Sequence, residues 1–426
     1  MELEDRLRDV AVVGAAGKMG RGIALLLAEN MAVRIGDMTR PALPRPRLTL
    51  IDTQEHALGE LTQYIEIQAA RRAAKTGQPA AVSSIIETTT DSHRAATAHL
   101  VFEALPEVES LKVEALTQLR ESCLPDTWFL SNTSSIPISE LDRRAGLGGR
   151  VVGFHFYNPP PVQKLLEVIP AASTRSDLDR AARQLARELG KTVVTSSDVA
   201  GFIGNGHFIR ECLFGLGQME RLQQRLGFSG AVYAIDRASR EGLLRPMGIL
   251  QVMDYAGIDI CAAIMEVMDH YIATESFESA TAARMLEAGA KGGQHADGSQ
   301  KDGFFRYDGY RITEVYDIER GGYQPLDVVA TAADEEFGTL ALPGNSWKEL
   351  RGQSDLGDRV SNHFQWLGTQ RWAGARMALD FKQASQRIAT KLLTDGIATC
   401  REDINVVVTT GFHHLYGPFG IKELSQ

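Results

Sequence analysis

The segment "DVAVVGAAGKMGRGIALLLAEN" leaves the start of this chain few ways to fold. Val10 to Val13 is a short, unbroken apolar run, the pattern of a strand buried in a parallel sheet. Glycines follow at 14, 17 and 20, and then "RGIALLLAE", a strong helix former. Strand, glycine turn and helix in that order make a βα unit whose turn presents backbone N–H groups to a pyrophosphate. Gly14 permits the tight turn, Gly17 lets a phosphate approach the backbone, and Gly20 lets helix and strand pack closely. Lys18 and Met19 complete the turn. Glycines alone say little; glycines between a strand and a helix are the context the motif requires.

The next strand is read in "MAVRIGD", which ends on Asp37. An acid at the tip of the second strand hydrogen-bonds the ribose hydroxyls of NAD and repels the 2′-phosphate of NADP. Arg40 would favour that phosphate, and the strand-tip acid decides for NAD. "RPALPRPR" reads as a solvated loop. A long helix, a buried strand (Ala98 to Leu105), a helix in "SLKVEALTQLRESC" and a strand in "TWFLSNTSS" follow. Alternating β and α elements predict a Rossmann-type doubly wound sheet.

Ligands of such sheets bind outside the carboxyl ends of the strands. Three polar clusters fall there. The first is Glu103 and Glu107 with Lys112 beyond. The second is Asn132, Thr133 and Ser134. The third is His155 and Asn158 in "HFYNPPPVQKLLEV". In this last segment a histidine closes one apolar run, prolines reverse the chain, and a second run carries Glu167. A lone histidine is most often a core residue; three polar clusters at matching strand ends are harder to dismiss.

From about residue 201 the strand pattern gives way to helices, and the chain repeats itself. "RLGFSGAVYAID" leads to Gly248 in "RPMG" as "TDGIATCREDIN" leads to Gly417 in "LYGPFG", and Gly227 matches Gly396. Two copies of one helical unit are predicted. The expected architecture is α/β followed by all-α, with domains at 1–200, 201–330 and 331–426. A chain of 426 residues is long enough for two or three cores. The loops between the copies show no chemistry; "KGGQHADGSQKDGFFRYDGY" is read as a loop that packs Phe304, Phe305 and Tyr307 onto the first copy.

With 45 basic and 54 acidic residues the net charge is −9, which argues against a nucleic-acid partner. Cys123, Cys212, Cys261 and Cys400 are scattered, so neither a metal site nor a disulfide framework is expected, and a reducing compartment fits. The charged start "MELEDRLRDV" does not read as a signal peptide and no apolar run is long enough to span a membrane. A cytoplasmic protein is expected.

Taken together, "GKMGRGIA", "EALPE", "SNTSS", "HFYNPPPVQKLLEV", "DVAGFIGN", "RPMGILQVMDYAGID" and "KDGFFRY" resemble the 3-hydroxyacyl-CoA dehydrogenase family, in family order and over nearly the whole chain. The resemblance implies NAD-dependent oxidation of an (S)-3-hydroxyacyl-CoA to the 3-oxoacyl-CoA, as in β-oxidation. It implies that His155 is the general base and Glu167 its partner on the other ring nitrogen. An imidazole suits proton transfer near neutral pH, and a carboxylate fixes its tautomer and stabilises the imidazolium. By motif, Ser134 would bond the substrate C3 oxygen, Asn205 would bond the thioester side or brace His155, and Asn158 would hold the geometry. Asn132 would sit by the nicotinamide, with Glu107 and Lys112 on the cofactor and CoA side. The family also dimerises through its helical domain, so the tandem copies imply either a homodimer or a pseudo-dimeric monomer.

The sequence departs from the family in three places. The turn "GAAGKMG" is one residue longer than G-x-G-x-x-G, Gly206 and His207 follow Asn205 where an arginine is usual, and Pro160 is extra. Two other readings therefore stand beside the first. One is the same fold acting on a short, dicarboxylic or non-CoA hydroxy acid; the other is a non-catalytic nucleotide-binding subunit of a larger assembly.

Overall fold

A computed structural model describes residues 1–35, 45–76, 82–295 and 298–420. The chain divides into two compact units, Met1–Phe202 and Ile203–Gln426. Among the described residues no helix is long and apolar enough to cross a membrane.

The first unit is built on an eight-stranded sheet. Its strands are β1 (Asp9–Val13), β2 (Arg47–Ile51), β3 (Ile86–Thr89), β4 (Leu100–Glu103), β5 (Trp128–Ser131), β6 (Val151–Phe156), β7 (Leu165–Ile169) and β8 (Thr192–Thr195). Their order is β3-β2-β1-β4-β5-β6-β7-β8. The first six strands run parallel, β7 runs antiparallel to β6, and β8 is parallel to β7. The order reverses on either side of β1, which makes the end of β1 the switch point where such sheets take their ligands. Val10, Val12, Leu48, Leu50, Leu100, Phe102, Leu130, Val152 and Phe154 form the core with Ile23 and Leu27 of the helix Lys18–Ile35. Every residue of β6 and β7 is buried, as strands covered on both faces should be.

One expectation is overturned. Met31 to Ile35 of "MAVRIGD" are not the second strand: the helix that starts at Lys18 runs on to Ile35. Ile23, Leu27 and Met31, spaced by four, are all fully buried, so the apolar face of the helix continues past Asn30. The second strand is Arg47–Ile51, paired with β1 on one side and β3 on the other. The prolines ahead of it hid it, because the short run "LTLI" follows directly on a loop-like stretch. Asp37 and Arg40 lie outside the described residues, and the acid that follows β2 is Asp52.

The second unit is mainly helical. The long helix Gly204–Arg237 leaves helical conformation only at Gly227 (φ 69°) and runs into a π-helical turn, Ala238–Gly242. The helix Ala373–Thr394, Gly396 (φ 69°), the helix Arg401–Val406 and a π-helical turn at Val407–Gly411 follow the same course. Gly204 and Ala373, Gly227 and Gly396, Ala238 and Val407, and the positive-φ residues Leu244 and His413 are each 169 residues apart. So are Gly248 and Gly417. An added Cβ at Gly248 would overlap Asp236 Oδ1, and one at Gly417 would overlap Asn405 Oδ1. We take these correspondences to mark two copies of one helical unit. The division at 330/331 drawn from the sequence falls inside the helix Leu326–Phe337.

Between the copies stands a three-stranded antiparallel sheet of β9 (Phe305–Asp308), β10 (Arg311–Asp317) and β11 (Gly322–Pro325), where only loops were expected. The signal was present: Asp308-Gly309 starts a tight turn between two aromatic and β-branched runs, and Gly309 has φ 61°. Phe304 and Phe305 are buried as expected, and both backbone N–H groups donate to the carboxylate of Asp254, as does the Tyr307 hydroxyl.

Candidate active site

The glycine turn sits at the carboxyl end of β1. Gly14 has φ 77°, and the N–H groups of Gly14 and Ala15 donate to Ile51 O at the end of β2. An added Cβ on Gly14 would stand 2.7 Å from Ala104 O, and one on Gly20 would overlap Gly14 O, so both positions require glycine. Gly17 and Lys18 are exposed at the head of the helix Lys18–Ile35, where a Cβ on Gly17 would stand 3.3 Å from Gly14 O. Within the lengthened turn the Ala16 N–H donates to Asp52 Oδ2 at 3.0 Å. Asp52 Oδ1 accepts from Gln54 N at 3.3 Å. A bare turn, an exposed helix N-terminus and an acid at the tip of β2 fit a dinucleotide.

The "SNTSS" turn after β5 is organised by one carboxylate. Glu107 Oε1 accepts from Thr133 Oγ1 (2.7 Å), Ser134 N (2.8 Å), Ser134 Oγ (3.2 Å), Ser135 N (2.9 Å) and Ser135 Oγ (2.8 Å). Burial pushes the Glu107 carboxyl up; Lys112 and the donors of Thr133, Ser135 and Ser134 outweigh it and hold the group below the ordinary range. Lys112 is 1% exposed. Its ammonium lies 2.7 Å from Glu103 Oε1, 3.0 Å from Leu105 O and 3.4 Å from Glu107 Oε2. Glu103 Oε2 also accepts from Ser131 Oγ at the end of β5. Glu107 and the buried Lys112 thus form a hub that shapes the turn carrying Asn132 and Ser134.

His155 and Glu167 are register partners on β6 and β7. His155 Nδ1 lies 2.9 Å from Glu167 Oε2. Both are buried, His155 with 7% exposure and Glu167 with none. Against an ionised Glu167, which only accepts, the hydrogen would sit on Nδ1, the tautomer that leaves Nε2 an acceptor. The Tyr157 hydroxyl donates to the same Glu167 Oε2 at 2.9 Å, and its ring lies 4.9 Å from the imidazole at 36°. Burial and Glu167 raise the Tyr157 pKa well above its usual value. Asn132 Oδ1 accepts from Phe156 N at 2.9 Å, which ties the "SNTSS" turn to the histidine strand. The Asn158–Pro159 peptide is cis. The extra Pro160 packs against the nucleotide helix, where a Cβ on Gly22 would stand 2.8 Å from its ring.

Glu107, Asn132, Ser134, His155, Asn158 and Glu167 therefore gather at or beside the carboxyl ends of β4 to β6, within the first unit. Asn205 stands in the first turn of the helix Gly204–Arg237, in the second unit, and is half-buried. Sequence reasoning missed Asp52 and Tyr157. The first was legible as an acid closing the apolar run "RLTLI". The second was visible only as an aromatic, because nothing in a sequence aims its hydroxyl.

A doubly wound sheet with a glycine turn at its switch point and a buried histidine–carboxylate pair beside it defines a dinucleotide-dependent oxidoreductase. Comparison with known proteins narrows this. Residues 9–199 match the model of the 3-hydroxyacyl-CoA dehydrogenase NAD binding domain, and residues 224–302 match that of the C-terminal domain of the same family. The chain belongs to the 3-hydroxyacyl-CoA dehydrogenase family and is an NAD-dependent oxidoreductase. It is 32% identical over 292 residues to a probable 3-hydroxybutyryl-CoA dehydrogenase of Deinococcus radiodurans, covering 98% of that protein and 68% of this chain. The crystal structure of an (S)-3-hydroxybutyryl-CoA dehydrogenase from Ralstonia eutropha is 27% identical, with a TM-score of 0.54 over 67% of this chain and 95% of that one. A 3-hydroxybutyryl-CoA dehydrogenase structure from Escherichia coli shares the fold over 96% of this chain and 90% of its own, with a TM-score of 0.68 and 22% identity.

Proposed function

We propose that this enzyme interconverts a short-chain (S)-3-hydroxyacyl-CoA and its 3-oxoacyl-CoA, with His155 as general base and acid. The observation that carries the reading is the register pairing of His155 with Glu167. In the oxidation, Nε2 of His155 takes the proton of the C3 hydroxyl. Glu167 fixes the tautomer and stabilises the imidazolium that forms. Ser134 Oγ turns its hydroxyl from Glu107 to the C3 oxygen, Asn132 places the nicotinamide side, and Asn158 holds the loop beyond the histidine. NAD, when bound, supplies the acceptor for the hydride that leaves C3. Gly14, Gly17, Lys18, Met19 and Gly20 would hold its pyrophosphate against the helix N-terminus, and Asp52 its adenosine ribose. Glu107 and Lys112 act from beneath, by shaping the turn.

The names of the relatives support a four-carbon acyl group. The cysteines are unpaired among the described residues, which fits a cytoplasmic enzyme. The tandem helical copies would serve as each other's partner, making the chain a pseudo-dimeric monomer. The test is NADH consumption with acetoacetyl-CoA, repeated with NADPH and with longer and dicarboxylic acyl-CoAs. Fast turnover with NADH alone is expected. Tight NADH binding without turnover on any acyl-CoA would overturn the reading in favour of a nucleotide-binding subunit.

A further inference from the structure

We propose that Tyr157 is a positioning residue that sets the proton affinity of the His155–Glu167 pair through its hydrogen bond to the shared carboxylate oxygen. The proposal rests on the reading of His155 as the base.

Glu167 is fully buried, and a buried carboxylate needs donors to stay ionised. Its Oε2 accepts from two directions, from His155 Nδ1 at 2.9 Å and from the Tyr157 hydroxyl at 2.9 Å. The two donors compete for one oxygen. Each hydrogen bond from Tyr157 draws charge off the carboxylate and leaves less of it to stabilise an imidazolium. Tyr157 therefore makes His155 a weaker base than the carboxylate alone would make it. It also keeps Glu167 supplied with a donor through the proton transfer. The hydroxyl suits this task because burial, and then the carboxylate itself, hold it protonated far above neutral pH. The ring, 4.9 Å from the imidazole, packs against the histidine independently of the hydroxyl.

β5 offers Phe129, Leu130 and Ser131 alongside β6, and β8 offers Thr192 to Thr195 alongside β7. Phe202 stands 6.1 Å from the imidazole. Glu103 and Glu107 at the ends of neighbouring strands pair with Lys112, and Lys191 donates to Pro160 O and Gln163 O. Burial lowers the Lys191 pKa to about 8.

The test is Tyr157→Phe, which keeps the ring and removes only the hydroxyl. Two readouts are needed, because the titration of Lys191 can enter an activity profile: the pH profile of kcat/KM, and the titration of the His155 ring by NMR in histidine-labelled, cofactor-free protein. In Y157F both the acidic limb of hydroxyacyl oxidation and the ring titration should move up by about one pH unit, a fraction of a charge-assisted hydrogen bond. In Glu167→Gln and in the Glu167→Gln/Tyr157→Phe double variant the ring titrations should coincide, since the charge that Tyr157 modulates is gone. Superimposable profiles and ring titrations in wild type and Y157F would overturn the proposal and leave Tyr157 a packing residue. A His155→Ala variant separates this from the underlying reading: full activity there would sink the base assignment, while the ring titration of Y157F still decides the role of Tyr157.

Discussion

His155 and Glu167 face each other across two antiparallel strands, so the sheet's own hydrogen-bond ladder holds the imidazole against the carboxylate. Neither side chain depends on a loop for its place. Glu167→Gln keeps the shape of the pair and removes the charge. It should lower kcat by about 10²–10⁴-fold with little change in KM, the size expected when acid–base help is lost. Steady-state kinetics with a 3-hydroxyacyl-CoA would check this, and a loss confined to KM would count against it.

Asp52 stands where a ribose-binding acid is needed, after β2 and bonded to the glycine turn through Ala16 N. Asp52→Asn can keep that bond through its amide oxygen while losing the charge. The ratio of kcat/KM for NADH over NADPH should fall by about tenfold, or about 1.4 kcal/mol. Asp37→Asn should leave the ratio unchanged. Cofactor preference measured in both variants tests which acid does the work.

Glu107 is held ionised by Lys112 and by the hydroxyl and N–H donors of the "SNTSS" turn. A carboxyl whose folded pKa lies below its unfolded value adds stability above the ordinary carboxylate range, and that stability is lost as pH falls through the folded pKa. Thermal stability of the wild type should therefore decline on acidification in this window. Glu107→Gln should be destabilised by about 1–3 kcal/mol at neutral pH, because it takes the charged acceptor from the donors of the turn while Lys112 keeps Glu103. Its melting temperature should depend less on pH below about 5. Melting curves across that range give the answer.

Gly248 and Gly417 are each pressed against a side-chain oxygen, of Asp236 and of Asn405. Alanine at either should destabilise the second unit by about 1–3 kcal/mol. Gly217 lies inside the helix Gly204–Arg237 with nothing within 4 Å of an added Cβ. Gly217→Ala should be stabilising by up to about 1 kcal/mol. Chemical denaturation of the three variants would show whether the two copies hold equivalent glycines.

Much of the first unit was legible because its signals are local. A strand, a glycine turn and a helix lie within one short stretch, and the pairing of His155 with Glu167, implied by the family resemblance, was allowed by two apolar runs joined by prolines. The second strand was misplaced because its signals compete: "MAVRI" reads as a strand by composition, but its spacing continues the buried face of a helix. Lys112 has the look of a surface ligand in a sequence, and only the fold shows it buried between Glu103 and Glu107. The Tyr157 hydroxyl and the five donors on Glu107 Oε1 are set by tertiary geometry, which no spacing encodes.

On the reading of two copies, the 169-residue correspondence also frees each copy from its twin. In a symmetric pair of identical subunits every substitution is made twice, and a residue near the axis must tolerate its own image. Here Arg245 and His414 occupy matching positions and line the same internal cavity. Arg245 is committed to Glu211, with bonds of 2.9 and 2.8 Å, while burial, and then Arg245 itself, hold His414 neutral. Two identical chains would have set one arginine against another, and a single chain can write the two sides differently.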